Sequence, residues 1–159
     1  ARRLRHLAVP GPARATQNPV PLTEEVLAEG KVHFADHCAF CHGNDGRGQT
    51  PIGRNLYPKA PDMTLSETQS LSDGELFYII HNGVRLTGMP AWGGDDPGRD
   101  LDSWKLVHFI RHLPNITAAE LEEMRVLNPK TREELEEEEM VRKFLGNEGA
   151  VPTSPEHKH

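Results

Sequence analysis

Both cysteines of this 159-residue chain stand in one string, DHCAFCHG, three positions apart, and His42 follows Cys41 directly. Thiols at that spacing support four kinds of chemistry: a redox dithiol, half of a zinc site, a disulfide, or the attachment of a c-type haem. A structural zinc site would require a second pair of Cys or His ligands, and there is no third cysteine. A dithiol oxidoreductase would place a strand before the pair, whereas the residues ahead of Cys38 read as helix. Haem attachment accounts for every residue of the string. Two thiols at the end of a helix reach the two vinyl groups of one porphyrin, and the imidazole of the next residue then comes beneath the iron. One covalent haem c is therefore the expected cofactor, bound by Cys38, Cys41 and His42.

The elements that must position these residues are helical. Thr23 reads as an N-cap, Glu24 and Glu25 favour the first turn, and Leu27, Gly30, Phe34 and Cys38 share one face. Residues 43–71 are rich in Gly, Pro and Asn and read as a long loop. In SDGELFYIIHNG, Ser72 and Glu75 form a capping box, an apolar face follows, and Asn82-Gly83 ends the helix. After a second loop, LDSWKLVHFIRHLP predicts a helix stopped by Pro114. Two more capping boxes, TAAE and TREE, predict helices near 118–127 and 132–145, separated by Asn128-Pro129. No segment has a convincing strand pattern, so the fold class is all-α.

This organisation gives an extended arm or linker over 1–22, a helical domain over 23–114, an acidic helical extension over 115–148 and a tail over 149–159. Residues 1–22 carry four arginines and no acid, while 23–114 and 115–159 are each acidic by about five charges. Without a basic stripe beyond the arm, nucleic acid is not an expected partner. No window approaches the roughly 18 consecutive apolar residues of a membrane span. The chain starts at Ala1 rather than Met, so a processed or trimmed amino terminus, with membrane attachment through a segment now missing, is an expectation. The closing HKH reads as a solvated tail in preference to a copper or zinc site.

The sequence resembles the class I, single-haem cytochromes c, over roughly Thr23 to Pro114. The resemblance rests on GKVHFADHCAFCHG, then LSDGELFYIIHNGVRLTGMPAWGG, then the aromatic helix before Pro114, in that order. It implies a three-helix cytochrome c fold with long loops, to which this chain adds two C-terminal helices. The first and last helices of the domain would cross at Gly30, with Phe34 meeting aromatics such as Phe109. It also implies that Met89, in TGMPAW, is the second axial ligand. Gly88 permits close backbone approach there and Pro90 fixes the chain just after it. Met63 is the rival, whereas Met124 and Met140 stand at helical spacing with leucines and read as packing residues. By the same resemblance Pro61, with Pro58 second, supplies the carbonyl that orients His42. Arg54, Tyr57, Arg85 and Trp92 are expected at the haem propionates or the pocket wall.

A His/Met pair fills both axial positions, so the implied function is electron transfer and not catalysis. The protein would shuttle electrons between a donor and an acceptor protein, or serve as the entry domain of a membrane redox complex. The alternative is a haem sensor or a peroxidase-like enzyme in which Met89 is displaced and His81 acts as distal base. His33, His37, His81, His108 and His112 otherwise read as surface or partly packed imidazoles, with His37 able to reach the porphyrin edge. Haem attachment of this type implies maturation outside the cytoplasm, hence a bacterial periplasm or the outer face of a bacterial membrane.

Overall fold

A computed structural model describes residues 9–130 and 132–145. The expected tail over 149–159, the HKH end, residues 1–8 of the arm and the Thr131 cap lie outside the described residues. The helices are α1 (Gly11–Ala15), α2 (Glu24–His33), α3 (Ala39–His42), α4 (Ser66–Gln69), α5 (Asp73–Asn82), α6 (Leu101–His112), α7 (Ala118–Leu127) and α8 (Arg132–Phe144). A π-helical turn, Phe34–Cys38, joins α2 to α3, and no strand occurs among the described residues. The protein has the all-helical architecture of a cytochrome c fold. It divides into two units, one running to Asn128 and one from Pro129 onward.

The caps explain where the helices begin. Thr23 accepts from the Val26 N–H at 3.1 Å, and complete capping boxes start α5 at Ser72 and α7 at Thr117. At the other end of α5, Gly83 takes φ of +65°, which closes the helix without a Cβ penalty. The core lies where α2 crosses α6. Phe34, Leu106, Val107, Phe109 and Leu113 are all fully buried there, and the Phe34 and Phe109 rings meet with centroids 5.2 Å apart. Each such side chain stabilises the fold by about 1.5–3 kcal/mol through burial.

Gly30 makes that crossing close. A Cβ on Gly30 would lie 2.6 Å from the backbone oxygen of Lys105 and 3.2 Å from the Phe109 Cβ. Because the nearest atom belongs to the opposing backbone, no rotamer change can relieve the clash. Gly30→Ala is expected to force the helices apart and destabilise the protein by about 1–3 kcal/mol. A thermal unfolding midpoint equal to the parent's would contradict this.

Two features depart from a simple reading of the pattern. Segment 9–22, expected as an extended arm or linker, is laid against the helical body. Val9 is buried, Ser72 donates to the Arg14 carbonyl at 2.8 Å, Asn18 donates to the Trp104 carbonyl at 2.9 Å, and His108 bonds the Val20 carbonyl at 2.7 Å. Helix α7, grouped by sequence with the extension, also belongs to the first unit. Its Met124 is fully buried in the core, and Lys31 of α2 pairs with Glu123. In the second unit α8 carries exposed Leu135, Met140, Val141 and Phe144 beside its acidic run.

Candidate cofactor site

The π turn sets up the Cys-bearing segment. The Ala39 N–H bonds the Phe34 carbonyl, one residue further back than an α-helix would use. The Ala35 carbonyl therefore lacks that bond, and Asn128 at the end of α7 supplies one from its side chain at 2.8 Å. Asn128 and Asn44 also exchange side-chain hydrogen bonds at 2.8 and 3.0 Å. One residue thus ties the turn ahead of Cys38 to the residue two beyond His42. In the sequence Asn128 reads only as a helix breaker, since its partners lie 84 and 93 positions away.

Cys38 and Cys41 are free thiols, both partly buried. Burial pushes the Cys38 thiol up to about 12, with the nearby Cys41 adding to the effect, and burial also raises the Cys41 pKa. Such thiols stay protonated at neutral pH, which is the reverse of what a reactive dithiol needs. A neutral thioether suits the same environment. Burial also lowers the pKa of His42, opposed by the Pro61 carbonyl, so the ring is a neutral imidazole able to donate a lone pair. Its Nδ1 is buried and forms no hydrogen bond of ordinary geometry, although the Pro61 carbonyl faces the ring closely enough to favour protonation. Two neutral thiols and a buried neutral imidazole fit a covalently attached haem.

The first loop folds back beneath this segment on glycines. Thr50 donates to the Cys41 carbonyl at 3.0 Å and accepts from the Gly53 N–H at 2.8 Å. Gly48 donates to the His42 carbonyl at 2.7 Å, and Met63 to the Gly46 carbonyl at 2.8 Å, with Gly46 and Gly48 both at φ of +69°. A side chain at Gly53 would strike the Cys41 carbonyl at 2.1 Å, so only glycine lets the loop approach the Cys-bearing turn this closely.

The second loop converges on the same place. Val84 donates to the Met89 carbonyl at 3.1 Å, Thr87 Oγ1 donates to the Val84 carbonyl at 2.7 Å, and the Met89 N–H donates to Thr87 Oγ1 at 3.1 Å. These bonds make residues 84–89 a closed turn. Gly88 packs against Leu56 of the first loop, where a Cβ would come within 2.6 Å. Trp92 sets its edge against the His37 ring, one residue before Cys38, at 5.2 Å. The methionines separate clearly. Met63, 7% exposed, and Met124, at 0%, are used up in the core, and Met140 lies exposed on α8. Met89 alone sits half-buried on a loop that joins the Cys-bearing segment.

Of the other expected site residues, Trp92 is 37% exposed beside His37, while Arg54, Tyr57 and Arg85 are exposed on the two loops. Phe40, between the two cysteines, and Leu86 also leave large apolar surfaces exposed. His81 is buried and bonds Asp100 through Nδ1 at 2.6 Å, an engagement that argues against its use as a distal base. Asp100 carries no local signal in the sequence, because its partner stands 19 positions earlier.

A family model described as cytochrome c oxidase, cbb3-type, subunit III matches residues 25–110. The chain belongs to this family of c-type cytochromes. The matched stretch runs from α2 through the Cys-bearing turn and both loops into α6, and stops before α7. Membership in the cbb3-type subunit III family carries haem c binding and haem-based electron transfer as the chemistry of the domain. Domains of this kind are typically extracytoplasmic in bacteria. Among the described residues, no helix is long and apolar enough to cross a membrane. The chain is also 29% identical over 86 residues to thiosulfate dehydrogenase from Stutzerimonas stutzeri (strain A1501), a match covering 53% of this chain and 26% of that protein. The match therefore spans about a quarter of that relative's length.

Proposed function

We propose that the protein carries one haem c, attached through Cys38 and Cys41, with His42 and Met89 as axial ligands, and that it transfers single electrons between redox partners. The observation that carries this reading is the convergence of two otherwise unrelated loops on the Cys-bearing turn, one of them bringing a half-buried Met89. When bound, the haem iron supplies one-electron cycling between the ferric and ferrous states. The residues of the chain do the rest. The two thiols would hold the porphyrin covalently, and the neutral His42 imidazole, its ring oriented by the Pro61 carbonyl, would supply a nitrogen ligand. Met89 would supply a thioether sulfur, which favours the ferrous state relative to nitrogen or thiolate ligands.

With His42 and Met89 both as ligands, the iron would offer no position to oxygen or peroxide, so the reading is of a carrier and not a catalyst. The relative named thiosulfate dehydrogenase, and a family described as an oxidase subunit, support two settings for such a carrier. It either shuttles between a donor and an acceptor protein, or forms the electron-entry domain of a larger oxidoreductase on the outer face of a bacterial membrane.

Covalent attachment is tested by extraction. Acid-acetone treatment of the purified holoprotein should leave the colour with the protein, and its mass should exceed that of the chain by one haem. Colour that passes wholly into the organic phase, or a mass increase of two haems, overturns the assignment.

A further inference from the structure

The second loop is closed at its neck by a buried pair that none of the electron-transfer chemistry above uses. His81, in the last turn of α5, and Asp100, the N-cap of α6, meet at 2.6 Å with side chains only 8% and 10% exposed. The other Asp100 oxygen accepts from the Ser103 N–H at 3.0 Å, so the same carboxylate starts α6. The loop strand returning from Met89 is fastened here too. Trp92 donates to the Ile80 carbonyl at 3.1 Å and Gly93 to the His81 carbonyl at 3.0 Å. Gly93 lies directly against the ring, where a Cβ would fall 1.8 Å from Nδ1. Phe77 stacks on His81 at 5.4 Å and on Trp104 at 4.1 Å, which fastens the ring to α6 from the other side.

The geometry points to His81 and Asp100 as positioning residues that hold Met89 in place for the iron. This rests on the His42/Met89 reading and goes beyond it by assigning what maintains the ligand. Only Pro90, Ala91 and Trp92 separate Met89 from the anchored Gly93, and the Pro90 ring fixes one of their few backbone rotations. The Met89 carbonyl is itself held by Val84. A ligand on so short a tether has a high effective concentration at its target, which falls when the anchor loosens. Removing one member of a buried pair leaves the other without its partner, so the neck is where loosening would begin.

The test measures imidazole binding to the ferric holoprotein at pH 7, together with the weak sulfur-to-iron absorption band. Imidazole must displace Met89, so its affinity reports how firmly Met89 is held. His81→Gln and Asp100→Asn should each raise that affinity by about tenfold or more and weaken the band, in line with loss of a buried pair. Asp100→Glu, which retains the carboxylate, should recover part of the effect. Gly93→Ala keeps both partners but displaces the strand from the ring, so it should raise the affinity as well. Gly30→Ala serves as control: it destabilises the protein at the helix crossing and should leave imidazole affinity unchanged. If the pair variants and Gly93→Ala keep the parent's affinity and band while only their thermal midpoints fall, the pair is merely structural and the inference is wrong. If the parent itself lacks the band and binds carbon monoxide readily when reduced, the Met89 reading fails and the inference falls with it.

Discussion

Replacing Met89 with Ala is expected to lower the reduction potential on the order of 100–200 mV, since each tenfold loss of preference for ferrous iron is worth about 59 mV. Of the two methionine thioethers on the converging loops, only that of Met89 lies outside the core, since Met63 is buried. Its loss removes the ligand that selectively stabilises the ferrous state. The vacancy should also admit carbon monoxide to the reduced protein, which the parent should resist. Attachment should survive, because Cys38, Cys41 and His42 belong to α3 and the π turn and not to the substituted loop. Potentiometry and carbon monoxide difference spectra check both parts. A variant with the parent's potential and spectrum would place the ligand elsewhere, and a parent that binds carbon monoxide would favour a sensor or enzyme.

The longer helices of the first unit, α2, α5, α6 and α7, were legible because their signals are local, whereas the short α1 and α4 fall in segments that read as arm and loop. Thr23, Ser72 and Thr117 cap their helices as residue type and spacing demand, and the Gly30 crossing with its Phe34–Phe109 contact follows from a helical stripe and the family resemblance. What escaped depends on contacts between residues distant in sequence. The proline-rich stretch 9–22 has no periodicity of its own, and it is laid on the body by bonds to distant residues, at the Arg14, Trp104 and Val20 carbonyls. The π turn leaves no trace in composition, since Phe34 and Cys38 are four apart and read equally well as one face of an α-helix. Asn128 and Asp100 are ordinary polar residues until the fold brings Ala35 and His81 to them. The residues to which chemistry is assigned here carry their signal in type and spacing, whereas those that hold them in place carry none.

Two truncations should separate what α7 does from what α8 does. Ending the chain after Asn128 removes a segment whose described apolar residues are exposed, so the thermal midpoint of the holoprotein should change little, within about 0.5 kcal/mol as for most surface changes. Ending it after Pro114 removes Met124 from the core, at about 2–5 kcal/mol for the lost side chain alone. It also strips the Ala35 carbonyl and Asn44 of their Asn128 partner, which costs about 1 kcal/mol or more for each bond. Against a total stability of about 5–15 kcal/mol for a domain, that sum should leave the shorter chain largely unfolded or poorly loaded with haem. The comparison is made by thermal unfolding and by the haem-to-protein absorbance ratio of the two products. Because Asn128 bonds residues on both sides of the Cys-bearing turn, the shorter chain should lose haem loading disproportionately to its loss of helix. Equal loading in the two truncations would mean that the turn holds its shape without α7, and that the cytochrome body ends at Pro114 after all.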